Sequence, residues 1–210
     1  MNAPTIDPNI QGEIPDLHAK RVVTEMLTFL DNASASFDPA LKHAINQPVG
    51  GSPLAQRRYV ERVLDTRSPS IIDVASYFGK RCRFGLMIAI WYRDPGDGAS
   101  VWQYFATADG PGTEKRTVGP LWRISNHALA RLVQRSGATD TIKLLRVMRE
   151  MGKEMTNAMA SARLYPGDGK VIYVKFNGGT AVLEWPEDSS LAVVKTILSP
   201  DMAHPLPGLH

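Results

Sequence analysis

Between Lys115 and Thr139 the chain carries five basic residues, Lys115, Arg116, Arg123, Arg131 and Arg135, and no Asp or Glu. The formal charge of all 210 residues is only +3, so this stretch is more positive than the chain around it. Concentrated positive charge attracts a phosphate backbone without reading its sequence. Nucleic acid, RNA foremost, is therefore the expected partner, with an acidic protein as the other choice, and Lys115, Arg116 and Arg123 are the expected nucleic-acid contacts. At about 100° per residue, His127, Arg131, Gln134 and Arg135 fall on one side of a helix. Ala128, Leu129, Leu132 and Val133 occupy the other. A histidine one turn from an arginine combines proton transfer near neutral pH with stabilisation of a phosphorane-like charge. An amphipathic helix has a polar face whatever its role, and arginines are ordinary occupants of it, so a catalytic and a merely solvated face both stay open.

Other chemistry-bearing patterns are weaker. Gly167-Asp168-Gly169-Lys170 lacks the spacing and the hydroxyl of a phosphate-binding loop. Asp94 and Asp97 lack the further oxygen ligands of a calcium loop. The five histidines include no pair at helical ligand spacing, and the single cysteine, Cys82, rules out an internal disulfide framework and a cysteine-rich zinc site. The sequence thus implies no metal and no cofactor. Trp91, Tyr92, Trp102 and Tyr104 are candidates for a base-stacking platform, although aromatics on a hairpin more often pack against helices. The Met148–Met159 stripe fits core packing better than an adaptable partner surface.

These residues need elements to position them. Residues 1–17, with Pro4, Pro8, Gly12 and Pro15, form an irregular arm in this reading. Val22, Val23, Met26, Leu27 and Leu30 predict a helix over 18–30. Asp38-Pro39 predicts the start of a separate short helix to Asn46. Further helices are expected over Leu54–Asp65 and Ser70–Phe78. From Lys80 onward the composition turns to β-formers: Phe84–Tyr92 and Val101–Ala108 make a hairpin across the Asp94–Gly98 turn, and Thr117–Ile124 a third strand. Ser125 caps a helix that Ser136 and Gly137 stop. A longer helix covers Asp140–Arg163, with Ile142, Leu145, Met148, Met151, Met155 and Met159 along one side. Three strands follow, Val171–Phe176, Thr180–Trp185 and Leu191–Leu198, joined by hairpin turns.

Helices, strands, helices, strands in that order predict an α+β fold, with N-terminal helices packed on a mainly antiparallel sheet and two central helices. The division expected is an arm to residue 17, a helical segment 18–79 and an α+β domain 80–210, or one compact domain 18–210. An apolar share of 43% with 21% charged residues is that of an ordinary globular chain. The longest apolar run, Phe84–Tyr92, is too short to span a bilayer as a helix, and no basic start precedes an apolar stretch. The expectation is a cytoplasmic protein with no membrane partner.

The run Ile124–Arg135 resembles the Ser-x-His-Ala-x-x-Arg-x-x-x-Arg helix of small bacterial toxin-like families in the RelE-like, barnase-like and colicin-like RNase class. The similarity covers residues 122–202 and includes a helical stretch followed by a small antiparallel sheet. It implies a metal-independent ribonuclease, with His127, Arg131 and Arg135 on the helix and Tyr173, Lys175 and Thr196 on the sheet as catalytic groups. The alternative is a non-catalytic accessory or regulatory protein, of the phage or mobile-element type, that binds nucleic acid or protein.

Overall fold

The computed structural model describes residues 14–46, 58–59, 62, 70–79, 82–108, 115–162, 171–187, 189 and 191–199. Among them, helices α1 (Asp16–Asn46), α2 (Asn126–Ser136) and α3 (Thr141–Ala162) pack on one sheet. The sheet is built from β1 (Ile71–Gly79), β2 (Cys82–Arg93), β3 (Ala99–Ala108), β4 (Lys115–Ile124), β5 (Val171–Phe176), β6 (Gly179–Glu184) and β7 (Ala192–Leu198). The spatial order is β1-β2-β3-β4-β7-β6-β5. The α+β class and the mainly antiparallel sheet expected from the sequence are present; only the join of β4 to β7 is parallel. That parallel join needs a long crossover, and α2, α3, β5 and β6 supply it.

Two expectations are corrected. Residues 71–79 are a strand, not a helix: β1 pairs antiparallel with β2 from Ile71↔Ile90 to Gly79↔Cys82. The run Ile-Ile-Asp-Val-Ala-Ser-Tyr-Phe is rich in β-branched and aromatic residues, and an apolar partner strand outweighs the capping signals at Pro69 and Asp73. The boundary placed at 79/80 consequently falls inside the β1–β2 hairpin. The second concerns the break before Asp38, where α1 instead runs on to Asn46 with Pro39 inside it. Residues 16–38 contain no glycine or proline to stop the helix, and Pro39 removes one intrahelical donor. Of the helix expected over 54–65, residues 58, 59 and 62 are described and helical. The remainder, like residues 1–13 of the arm, lies outside the described residues.

Helix α1 buries Ala19, Val22, Val23, Met26, Leu27 and Leu30, the side that its three-and-four spacing predicts. Helix α3 buries Leu144, Leu145, Met148, Met151 and Met155, so the methionines are core, while Ile142 in its first turn is 66% exposed. These residues share one core with Ala89, Trp91, Val101, Trp122, Leu183 and Val194 of the sheet. Trp91 and Trp122 meet edge to face, with ring centroids 4.9 Å apart.

The sheet is strongly coiled, and α3 shows why. Seven strands about 4.8 Å apart would put the edges nearly 29 Å apart if flat. Yet a Cβ on Gly178, in the β5–β6 turn, would stand 3.2 Å from Val147 of α3, while Gly152 of α3 packs against Ile72 of β1. Arg149 Nε also donates to the Ile72 carbonyl at 3.2 Å. Residues 147 and 152 are only about 7.5 Å apart along a helix axis. Both edges of the sheet therefore reach the same part of α3, and the helices fill the concave side.

Candidate functional site

Helix α2 begins where the sequence predicts. Ser125 is the N-cap and its hydroxyl accepts from Ala128 N, while Gly137 ends the helix at φ 69° with its N–H bonded to the Val133 carbonyl. Ala128, Leu129, Ala130, Leu132 and Val133 are buried against the sheet and its neighbouring helices. His127 is exposed; Arg131, Gln134 and Arg135 are half-buried.

The polar side of α2 is not open to solvent throughout, because the start of α1 lies against it. Gln134 Nε2 donates to the Ile14 carbonyl at 3.4 Å, and Arg131 donates to Gln134 Oε1 at 3.1 Å. His18 of α1 bonds the Thr139 carbonyl through Nε2 at 3.1 Å. This packing brings in Asp16, which pairs with Lys20 at 2.7 Å. The Lys20 hydrogen bond, chiefly, holds the Asp16 carboxyl below its ordinary range, with smaller pulls from Arg131 and His127. A groove of about 420 Å³ opens beside this cluster, floored by Val23 and Leu27 and flanked by Lys20, Arg93 and Asn126. Arg93 is bridged across to Asp31 of α1 at 2.6 Å.

The strand candidates lie on the other side of the sheet. Tyr173, Val182 and Thr196 are cross-strand partners, as are Val174, Ala181 and Ile197 in the next row. The second row is buried in the core shared with the helices. Since successive side chains alternate faces, Tyr173, Lys175 and Thr196 point away from α2. The structure thus brings Tyr173, Lys175 and Thr196 together, and His127 and Arg131 together, but keeps the two sets on opposite faces.

The basic stretch divides in a similar way. Trp122 and Ile124 are buried on the helix side, so Arg123 between them, exposed, points outward. It pairs in register with Ser100 of β3 and Val193 of β7. Lys115 and Arg116 lie opposite Thr107 and Ala106 at the far end of β4, roughly 25 Å from Ile124 at the rise of an extended chain.

Arg123 consequently joins the strand candidates on the outer face. Lys195 lies there too, an exposed cation paired with Glu184 at 3.2 Å. At the β2–β3 end of the same face, Tyr92 and Trp102 form an edge-to-face pair with centroids 5.9 Å apart. Trp102 Nε1 donates to Ser100 Oγ at 3.0 Å, which holds the indole above the residue that pairs with Arg123. Trp91 is excluded from any platform because it is buried on the inner side. Sequence reasoning missed Lys195, because strict alternation groups it with the buried Ile197, and only the extra residue between Val194 and Thr196 in the β6–β7 register accounts for its outward position. It also missed Asp16, whose approach to α2 spans more than a hundred residues and leaves no local signal.

Comparison with protein-family models, with curated proteins and with solved structures returns no match. The toxin-like resemblance therefore rests on the residues of α2 and the element order alone. Among the described residues, no helix is long and apolar enough to cross a membrane, and no group of three His, Cys, Asp or Glu side chains is placed to hold a metal ion.

Proposed function

We propose that the protein binds single-stranded nucleic acid, RNA foremost, on the outer face of its sheet, without cutting it. One observation carries this reading: Arg123, Lys175 and Lys195 are exposed on the outer face of the sheet, where the Tyr92–Trp102 pair, Tyr173 and Thr196 keep partial exposure. Cations follow the phosphate backbone, aromatic rings stack on bases, and hydroxyls meet the ribose 2′-OH, which is the combination that single strands require. An accessory or regulatory role follows from binding alone.

A second reading is favoured by the pull of His127 and Arg131 on Asp16 beside the groove that Lys20 and Asn126 flank. It is the toxin-like, metal-independent ribonuclease. There a ribose 2′-oxygen attacks the adjacent phosphorus, the bond to the 5′-oxygen breaks, and the products are a 2′,3′-cyclic phosphate and a free 5′-hydroxyl. His127 takes the 2′ proton or returns one to the leaving oxygen, and Arg131 and Arg135 stabilise the charge on phosphorus.

Labelled RNA and single-stranded DNA in EDTA separate the two. The binding reading expects a mobility shift that survives His127→Ala and is lost in an Arg123→Glu, Lys175→Glu double variant. Cleavage abolished by His127→Ala establishes the ribonuclease instead. Neither shift nor cleavage overturns both and leaves an acidic protein as the partner to seek.

A further inference from the structure

The outer face has two unlike ends. At one, Tyr92 of β2 and Trp102 of β3 offer aromatic surface and no charge. At the other, Lys175 of β5 is exposed beside Thr180, its cross-strand partner, and Tyr173 stands next along the strand. Between them lie Arg123 on β4 and Thr196 on β7, over a floor of Val182 and Val193. The only acidic side chain among the described residues along this path is Glu184, which Lys195 neutralises at 3.2 Å. It belongs to the row of Arg123, Val193 and Val171, whereas the row of Thr196, Val182 and Tyr173 carries no acid. A phosphate chain leaving Arg123 meets the least repulsion by slanting into that second row and passing Tyr173 to Lys175, which lies one row further, opposite Thr180.

Resting on the binding reading above, we infer that the nucleic-acid strand runs diagonally across the β-strands, with bases stacked at the Tyr92–Trp102 end and phosphates held at the Lys175 end. From β3 to β5 there are four inter-strand steps in the order β3-β4-β7-β6-β5. At about 4.8 Å each, that is roughly 19 Å across the strands; Trp102 lies two residues to one side of the Ser100–Arg123–Val193–Glu184–Val171 row and Lys175 four residues to the other, roughly 20 Å along them, so the diagonal is roughly 27 Å, or about eight nucleotides of stacked strand at 3.4 Å each. An oligonucleotide of two or three residues engages one end only. One of eight engages both, and the second contact then forms at high effective concentration.

The test is fluorescence anisotropy with oligouridines of three, four, six, eight and ten nucleotides at one fixed salt concentration. The expected result is a step of tenfold or more in affinity between four and eight nucleotides, with little further gain at ten. Trp102→Ala and Lys175→Glu should each remove the step while changing trinucleotide binding less than threefold for whichever end is intact. Lys175 is exposed, so its variant keeps the test decisive even if Trp102→Ala fails to fold. Affinity rising smoothly with length, or both variants weakening all lengths equally, overturns the crossing path while leaving the binding face standing. Absence of binding at every length overturns the binding reading itself.

Discussion

Strands β2 and β6 belong to one sheet but face opposite demands. In β2, Ile88 and Ile90 on one side and Ala89 and Trp91 on the other are all buried, so the strand is enclosed from both directions. In β6 burial alternates, with Ala181 and Leu183 inside and Thr180, Val182 and Glu184 half-exposed. This central stretch of β2 therefore has little freedom to vary a side chain, while Tyr92 and Trp102 beyond it keep partial exposure. The β5–β7 half is covered on its helix side and leaves the other side free for charge and hydroxyls. Candidate function gathers where enclosure is incomplete.

Replacing the enclosed side chains should give the largest effects. Trp91→Ala removes a fully buried indole of β2 and its edge-to-face packing on Trp122. A loss of about 3–5 kcal/mol is expected in urea unfolding, as for other buried aromatics cut to alanine. A loss below about 1 kcal/mol would mean that the two halves are not differently packed. Gly98→Ala comes next. Gly98 closes the β2–β3 turn at φ 85°, and a Cβ there would stand 1.9 Å from the Ile124 carbonyl oxygen, so the backbone itself must shift. Positive-φ strain alone costs on the order of 1–3 kcal/mol, and the collision adds to it, which a lowered thermal midpoint would record.

The outer face should respond in the opposite manner. Arg123→Glu with Lys175→Glu is expected to change stability by no more than about 0.5 kcal/mol, since both side chains are exposed. RNA affinity should fall at least tenfold, and the salt dependence should flatten by about 0.7 for each phosphate that the protein no longer neutralises. Unfolding of that variant would show that the outer face is as tightly constrained as the enclosed half.

The smallest effect expected is acid sensitivity at the start of α3. Asp140 caps this helix, accepting from Lys143 N at 2.9 Å. That bond, above all, holds its carboxyl below the ordinary 3.8. A folded-state value below the unfolded one means that the stabilisation is complete above about pH 4 and fades as the pH falls through the lowered value. Asp140→Asn keeps a capping oxygen and removes the titration. Its thermal midpoint should drop slightly less than that of the parent between pH 5 and pH 2.5.

The same contrast explains which parts of the molecule are legible in sequence. Alternation in β6 is plain because one side is solvated, whereas the extra residue between Val194 and Thr196 breaks it in β7. Ser125 and Gly137 mark both ends of α2, and the buried stripe of α1 follows its spacing. Strand β1 is hidden because Pro69 and Asp73 imitate a helix start, and only pairing with β2 decides the matter. The candidate site is half legible. His127, Arg131, Tyr173, Lys175 and Thr196 can be picked out by residue type. Which of them meet depends on the face each element presents, and the crossover from β4 to β7 sets that at long range.

That crossover also has a timetable. The two parts of the sheet meet at Trp122↔Ala192, Arg123↔Val193 and Ile124↔Val194, three residue pairs in all. During synthesis at about 5–20 residues per second, β7 leaves the ribosome roughly 3–14 s after β4. For that interval β4 has no strand on its second side, and a nascent chain halted between α3 and β7 carries an open apolar edge that another nascent chain can occupy.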